Sequence, residues 1–309
     1  FAALNTTKNP ILSTTNLISN QTMRGVVLTL AAVLCFAAMD TTVKYLAESY
    51  NVPLIMAIRY IVNTLFVIAV FAPLQGKQIL KTQRTSLVLV RAACLTIMSL
   101  LVGLALKVMP VAEMIAISFL TPLLVALLAR PLLGEAIGFL GWLATITGLV
   151  GVMFIAQPGN GLDSHGVLLM LSAIIFNTFY QLLSRILAPS ETTVALLFYT
   201  SLVGAVVFGL TLPWAWYGIK PSALQIFLFI STGIMGGIGH YLFTAAYRYA
   251  PATVIAPITY FQLLWAGLFG WLVFGDLPTA WSLLGMVLVV VAGLIMMLKA
   301  RKPKPLLRA

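Results

Sequence analysis

The sequence predicts an all-α integral membrane protein. Its ten transmembrane helices form two inverted five-helix repeats around a central cavity. Three observations predict it. First, the 309 residues are 61% hydrophobic and 8% charged, with a mean hydropathy of +1.06. A soluble domain carries about 25% charged residues, so this chain has too little polar surface to face water on all sides. Second, ten apolar runs come close to the roughly 20 residues that a membrane helix needs. Third, the chain repeats itself. A shift of 141 residues, the separation of Lys107 from Arg248, also maps Pro110 on Pro251, Ser118 on Thr259, Phe119 on Tyr260, Gly134 on Gly275 and Glu135 on Asp276. The same shift places Lys44 on Arg185. Self-similarity at a fixed spacing marks an internal repeat.

Taken in order, residues 1–22 form a polar N-terminal tail rich in Asn, Thr and Ser, with Lys8 its one charge. The tail has no apolar core of signal-peptide length. The chain opens on Phe1, and Met23 is a candidate natural start. The first repeat, 23–160, holds apolar runs near 24–46, 53–73, 86–107, 111–130 and 135–156. The second repeat, 161–300, holds runs near 164–187, 192–213, 222–248, 252–274 and 278–298. Between them lie helix breakers such as Asn51-Val52-Pro53, Pro110, Pro189-Ser190-Glu191, Lys220-Pro221 and Pro251. The links are short, so successive helices are expected to be antiparallel. A strict two-residue alternation is absent, which excludes a β-barrel. A basic cytoplasmic tail, 301–309, closes the chain.

Basic residues set the orientation, because they accumulate in cytoplasmic loops. Ten spans put both termini on one side. That side collects 14 of the 18 Lys and Arg residues, Arg91 among them. Lys44, Arg59, Lys107 and Lys220 fall on the other. Both termini are therefore expected to be cytoplasmic, in an inner membrane. The net charge of +11 is accounted for by this bias and by a basic tail at anionic lipid. It requires no nucleic-acid partner. Five spans per half is an odd number, so the second half must enter the membrane upside down relative to the first. Inverted repeats are a common plan of secondary transporters, with the substrate held near the midplane between the repeats. An ancient duplication without transport is the alternative.

An ionisable group inside a bilayer is costly, and faces a cavity or a partner. Asp40 and Lys44 share one face of the first helix at i,i+4 spacing. They read equally as a self-neutralising pair and as a substrate or proton-coupling site. Arg59 and Glu113, near the starts of their helices, are expected to reach the outer interface. Glu135 and Asp276 each open the last helix of a repeat, where a carboxylate complements the helix dipole. Among neutral polar groups, Asn177, Tyr180, Gln181 and Ser184 share a face of the sixth helix. His240 and Tyr241 follow a glycine-rich stretch in the eighth, and Tyr260, Gln262 and Trp265 sit within the ninth. As a set these line a binding cavity for an amphipathic solute. Singly, each reads as an interhelical hydrogen-bonding group. His240 is a further coupling candidate. Hinge candidates are Pro110, Pro122, Gly236, Gly237, Pro251 and Pro257.

Several function classes are excluded. The chain has no HExxH, GxSxG or phosphate-loop motif, so it carries no recognisable enzyme centre and no ATP engine. Cys35 and Cys94 sit singly in apolar runs, and no metal or other cofactor is expected. A membrane scaffold without solute flux is the remaining non-carrier alternative.

The chain resembles the EamA-type, ten-helix branch of the drug/metabolite transporter superfamily over about 24–300. The resemblance rests on the paired segments Pro110–Glu135 and Pro251–Asp276 and on Pro122-Leu123. Gly141, Gly148, Gly151, Ala250-Pro251-Ala252 and Phe274-Gly275-Asp276 complete it. The second copy departs from it in carrying Leu263 where the first has Pro122. The resemblance implies a basket of helices around a central cavity and export of small metabolites by alternating access. One branch exports amino acids, including aromatic and hydrophobic ones. The expected partners are an amino acid or similar small molecule and membrane lipid. One chain is complete enough to act as a monomer. The alternative substrates are a nucleoside, a vitamin such as a flavin, or a lipophilic drug.

Overall fold

The computed structural model describes residues 10–121, 123–125, 128, 139–157, 162–187, 189–216, 220–246, 249 and 258–300. Pro122, Arg130, Gly134, Glu135, Arg248, Pro251 and Pro257 lie outside the described residues, as does the tail 301–309.

Among the described residues, ten main helices follow one another. They are α1 (Pro10–Ala47), α2 (Val52–Gln75), α3 (Thr85–Leu106), α4 (Val111–Ser118), α5 (Phe139–Ala156), α6 (Ser164–Leu187), α7 (Thr193–Gly209), α8 (Ala223–Ala246), α9 (Phe261–Phe274) and α10 (Ala280–Ala300). A 3-10 segment, Gly76–Leu80, follows α2, and a single turn, Leu212–Ala215, follows α7. Among the described residues, α1, α2, α3, α6 and α8 hold stretches long and apolar enough to cross a membrane, and the other five are shorter apolar helices.

The polar residues between the runs work as caps. The Asn51 side chain accepts from the Leu54 amide at 2.9 Å and opens α2. Asp163 does the same for Gly166 at the start of α6, and Thr192 for Ala195 at the start of α7. Ser222 and Gln225 satisfy each other's backbone amides, a capping box before α8. Gly275 ends α9 in the left-handed region at φ 73°. Its amide bonds Trp271 O and the next amide bonds Gly270 O, a closing turn that glycine adopts without strain.

The halves do not form separate bundles. The most extensive packing among the described residues runs from one half to the other, and it is symmetric. α1 packs on α8 as α3 packs on α6. α2 packs on α8 as α3 packs on α7, and α1 packs on α9 as α4 packs on α6. The pairs α2–α7, α4–α9 and α5–α10 pack as mutual equivalents. Exchanging the five-helix units therefore reproduces the contact pattern, as an inverted repeat requires. Lipid tails are as apolar as leucine, so helix association in a membrane depends on close packing of small residues. Gly151 and Gly285 meet where α5 crosses α10; a Cβ on Gly151 would lie 2.8 Å from the Gly285 carbonyl oxygen.

Candidate functional site

α8 runs unbroken through its glycines. The missing side chains let α1 and α2 approach. A Cβ on Gly236 would meet Met39 Sδ at 3.3 Å, and one on Gly237 would meet Phe66 Cδ1 at 2.7 Å and Asn63 Oδ1 at 2.8 Å. This close approach brings polar groups of α2 and α8 together near the symmetry axis. Arg59, Tyr60 and Asn63 of α2 face Leu197, Thr200 and Ser201 of α7, with Leu95 of α3, Tyr180 of α6 and His240 of α8 completing a small cavity. Its volume is about 20 Å³, room for little more than one water. The shift of 141 residues maps Arg59 on Thr200 and Tyr60 on Ser201, so the cavity lies on the axis of the repeat. Its chemistry is one-sided: the first half supplies a guanidinium, a phenol and an amide, and the second supplies two hydroxyls.

Two arginines inside the bundle, Arg91 buried and Arg59 half-buried, sit close to the cavity and are used differently. Arg91 is 5% exposed. Its Nε donates to Ser184 Oγ at 2.7 Å, one terminal nitrogen donates to Thr200 Oγ1 at 2.8 Å and to the Leu196 carbonyl at 3.3 Å, and the other donates to the Tyr180 hydroxyl at 2.8 Å. The guanidinium also lies 4.3 Å from the centre of the Tyr180 ring. Neutral acceptors take four of its five N–H groups, and an aromatic face covers the plane. Among the described residues, Arg59 has only a 3.7 Å contact with Met56 Sδ and the face of Tyr60 at 5.5 Å. Among the described residues no carboxylate is in ion-pair contact with it.

The sequence-derived residues divide. His240 and Tyr180 line the cavity, and His240 meets Phe36 edge-on at 4.9 Å. Asn177 donates to Thr121 at 3.2 Å, and Gln181 is half-buried one residue beyond Tyr180. Tyr180 and Ser184 serve Arg91, so the polar face of α6 is largely consumed by interhelical bonds. Tyr241 is 46% exposed and leans on Phe71 at 5.3 Å; it points outward and is no part of this cavity. Tyr260, Gln262 and Trp265 stand apart on α9. Tyr260 packs on Phe119 at 4.7 Å with its hydroxyl end in the notch left by Gly293. Gln262 is half-buried, and Trp265 stacks on Phe269 with its Nε1 buried and unbonded.

Five charge expectations are corrected. Asp40 and Lys44 do not neutralise each other: Lys44 Nζ pairs with Asp276 at 2.5 Å and lies 4.4 Å from the Phe274 ring centre. Asp276 therefore does not cap the last helix; Thr279 does, accepting from the Ser282 amide at 3.1 Å. Arg59 does not reach the outer interface, because α8 and Tyr60 hold it at the cavity. Glu113 is 4% exposed with Oε2 buried and unbonded, so it does not snorkel either. Arg91, counted with the cytoplasmic loops, is inside the bundle. Pro110 stands at the N-cap of α4 with φ −65° and ψ 151°, outside the helix body. Sequence reasoning missed Arg59, Asn63, Thr200 and Ser201 as one cluster. The repeat shift was the signal that joins α2 to α7.

Comparison with known proteins places this architecture. The family model described as "EamA-like transporter family" matches twice, over residues 23–157 and 164–298. A Rickettsia bellii protein named S-adenosylmethionine uptake transporter is 26% identical over 268 residues, covering 86% of this chain and 90% of its own. A Vibrio cholerae riboflavin transporter is 26% identical over 279 residues, with 89% and 93% covered. A riboflavin transporter of Rhizobium johnstonii is 32% identical over 209 residues, 66% of this chain and 67% of its own. A solved crystal structure superposes with a TM-score of 0.64 over 92% of the chain at 19% identity, a likeness of fold. Two matched units, ten apolar helices and relatives named as carriers agree: the chain is a transporter rather than an enzyme, and it belongs to the EamA-like transporter family.

Proposed function

We propose that this protein takes up a small, ring-bearing metabolite by alternating access, with its substrate anchored at the Arg59 cavity. The observation that carries the reading is the position of that cavity, on the repeat axis at the α2–α7 seam. A site on the axis is the one place that both halves can seal from either side in turn. The relatives' names turn the substrate away from the amino acid export that the resemblance implies, and toward compounds such as S-adenosylmethionine and riboflavin. Tyr60, Tyr180 and His240 supply flat walls suited to a ring. Removing Arg91 and Arg59 from the loop count leaves the remaining basic residues biased to one side. That supports a cytoplasmic-membrane carrier with both termini inside. Proton coupling through Asp40 or His240 belongs to the same reading.

The test is initial-rate uptake of labelled S-adenosylmethionine and labelled riboflavin by bacterial cells expressing the chain. Saturable uptake above vector cells supports the reading. Saturable loss of amino acids from preloaded cells, without uptake of either ring compound, replaces it with export. Flux of no solute in either direction removes the carrier altogether.

A further inference from the structure

A guanidinium has five N–H donors, and a charged group kept inside a membrane needs a partner or a polar cavity. Arg91 shows how this bundle satisfies an arginine that serves only the fold, with four hydrogen bonds to acceptors on two helices. Arg59 lies at a cavity with most of its donors unused among the described residues. One turn later Asn63 also lines the cavity, and its Oδ1 is buried without a hydrogen-bond partner.

A carboxylate stands nearby on α1. Asp40 is 9% exposed on α1. It falls one turn after Phe36, whose ring touches His240 at the cavity. Lys44, a turn further, is turned away to Asp276. Met39, the chain neighbour of Asp40, and Arg59 converge on one point beside Gly236, where a Cβ would meet Met39 Sδ at 3.3 Å and Arg59 Nε at 3.8 Å, yet Arg59 and Asp40 make no ion pair. A guanidinium thus lines the cavity and a carboxylate lies just behind its wall on α1, and among the described residues neither is in ion-pair contact with an opposite charge.

We propose that Arg59 and Asp40 are the two poles of a subsite for an α-amino-carboxylate group at one end of the substrate. The carboxylate meets the Arg59 fork with two parallel hydrogen bonds, and the ammonium faces Asp40 and the Asn63 oxygen. A zwitterion adds no net charge to the bundle and gives each pole its missing partner. The cavity in this state has room for little more than one water, so the head group and the ring both enter only when the halves part. This inference rests on the carrier reading above and narrows it. S-adenosylmethionine carries such an end, as free amino acids do, and riboflavin has none.

The experiment is counterflow in proteoliposomes of the purified full chain. Labelled S-adenosylmethionine, phenylalanine and riboflavin serve in turn as probes. Competitors are matched compounds lacking one or both poles: decarboxylated S-adenosylmethionine and phenethylamine lack the carboxylate, 3-phenylpropionate lacks the ammonium, and 5′-methylthioadenosine lacks both. Saturable flux of a probe with the amino-carboxylate end is expected, with pole-lacking analogues competing about tenfold more weakly or worse. Arg59→Gln is expected to erase the preference over the decarboxylated analogue, and Asp40→Asn the preference for the ammonium. Should either variant fail to fold, the competition ranking on the unaltered protein decides. Equal competition by the pole-lacking compounds, or saturable flux of riboflavin alone, overturns the subsite and leaves the carrier standing. Flux of no probe overturns both.

Discussion

At the scale of single residues, Arg91 and Arg59 show one side chain in two roles. Replacing Arg91 with methionine takes the donor from the Tyr180 hydroxyl, while Ser184 and Thr200 keep their bonds to the Tyr180 and Leu196 carbonyls. The expected cost is about 2 kcal/mol or more, read as a lower unfolding midpoint in detergent. An unchanged midpoint would show that the four bonds contribute nothing net. Tyr241→Ala, on the outward face, is expected to leave uptake within about twofold; a larger loss would bring Tyr241 back to the substrate path. Neither assignment was legible in the sequence. Arg91 sits two turns into its run, where hydropathy reads the same for a loop-facing and a buried arginine. Its acceptors come from α6 and α7, far along the chain. His240 and Tyr180 were legible because polar rings inside apolar runs are few and their helical spacing is local information.

At the scale of helices, the spans were readable because their signals are local: apolar length, prolines, and capping residues just before each start. Boundaries slipped where a local exception intervened. The seventh run reads as continuous to 213, yet α7 stops at Gly209 and Pro213 joins a new single turn, Leu212–Ala215. Which helix touches which was not local. The α5–α10 crossing depends on two glycines separated by most of the second repeat. Gly285→Val is expected to force those backbones apart at a cost of about 1–3 kcal/mol, lowering the midpoint while Gly209→Val, where a side chain meets open space, leaves it nearly unchanged. Equal behaviour of the two would mean that the crossing does not hold the bundle. Gly293→Leu is expected to displace Tyr260 from its notch and loosen its contact with Phe119, seen as altered tyrosine fluorescence.

At the scale of the whole molecule, the odd number of spans per half already carried the inversion, and the symmetric contact pattern follows from it. Lys44 and Asp276 join α1 of the first half to the end of α9 in the second. Alternating access needs such a join to open and close. Joining Lys44→Cys to Asp276→Cys with a cleavable bis-thiol reagent, in a background where Cys35 and Cys94 are serine, is expected to stop most flux, about a tenfold drop. Reductant should restore it. Full flux through the cross-linked protein would show that α1 and α9 stay together throughout the cycle.

The interleaved packing also bears on how the protein is made. Each helix enters the bilayer on its own as the ribosome delivers it, but the neighbours that α1, α2 and α3 need are synthesised last. The first five helices must therefore wait in the membrane as loosely associated rods, recognisable to quality-control proteases, until their partners arrive. A gene cut between 157 and 164 should yield two fragments that are short-lived apart and mutually protective when expressed together.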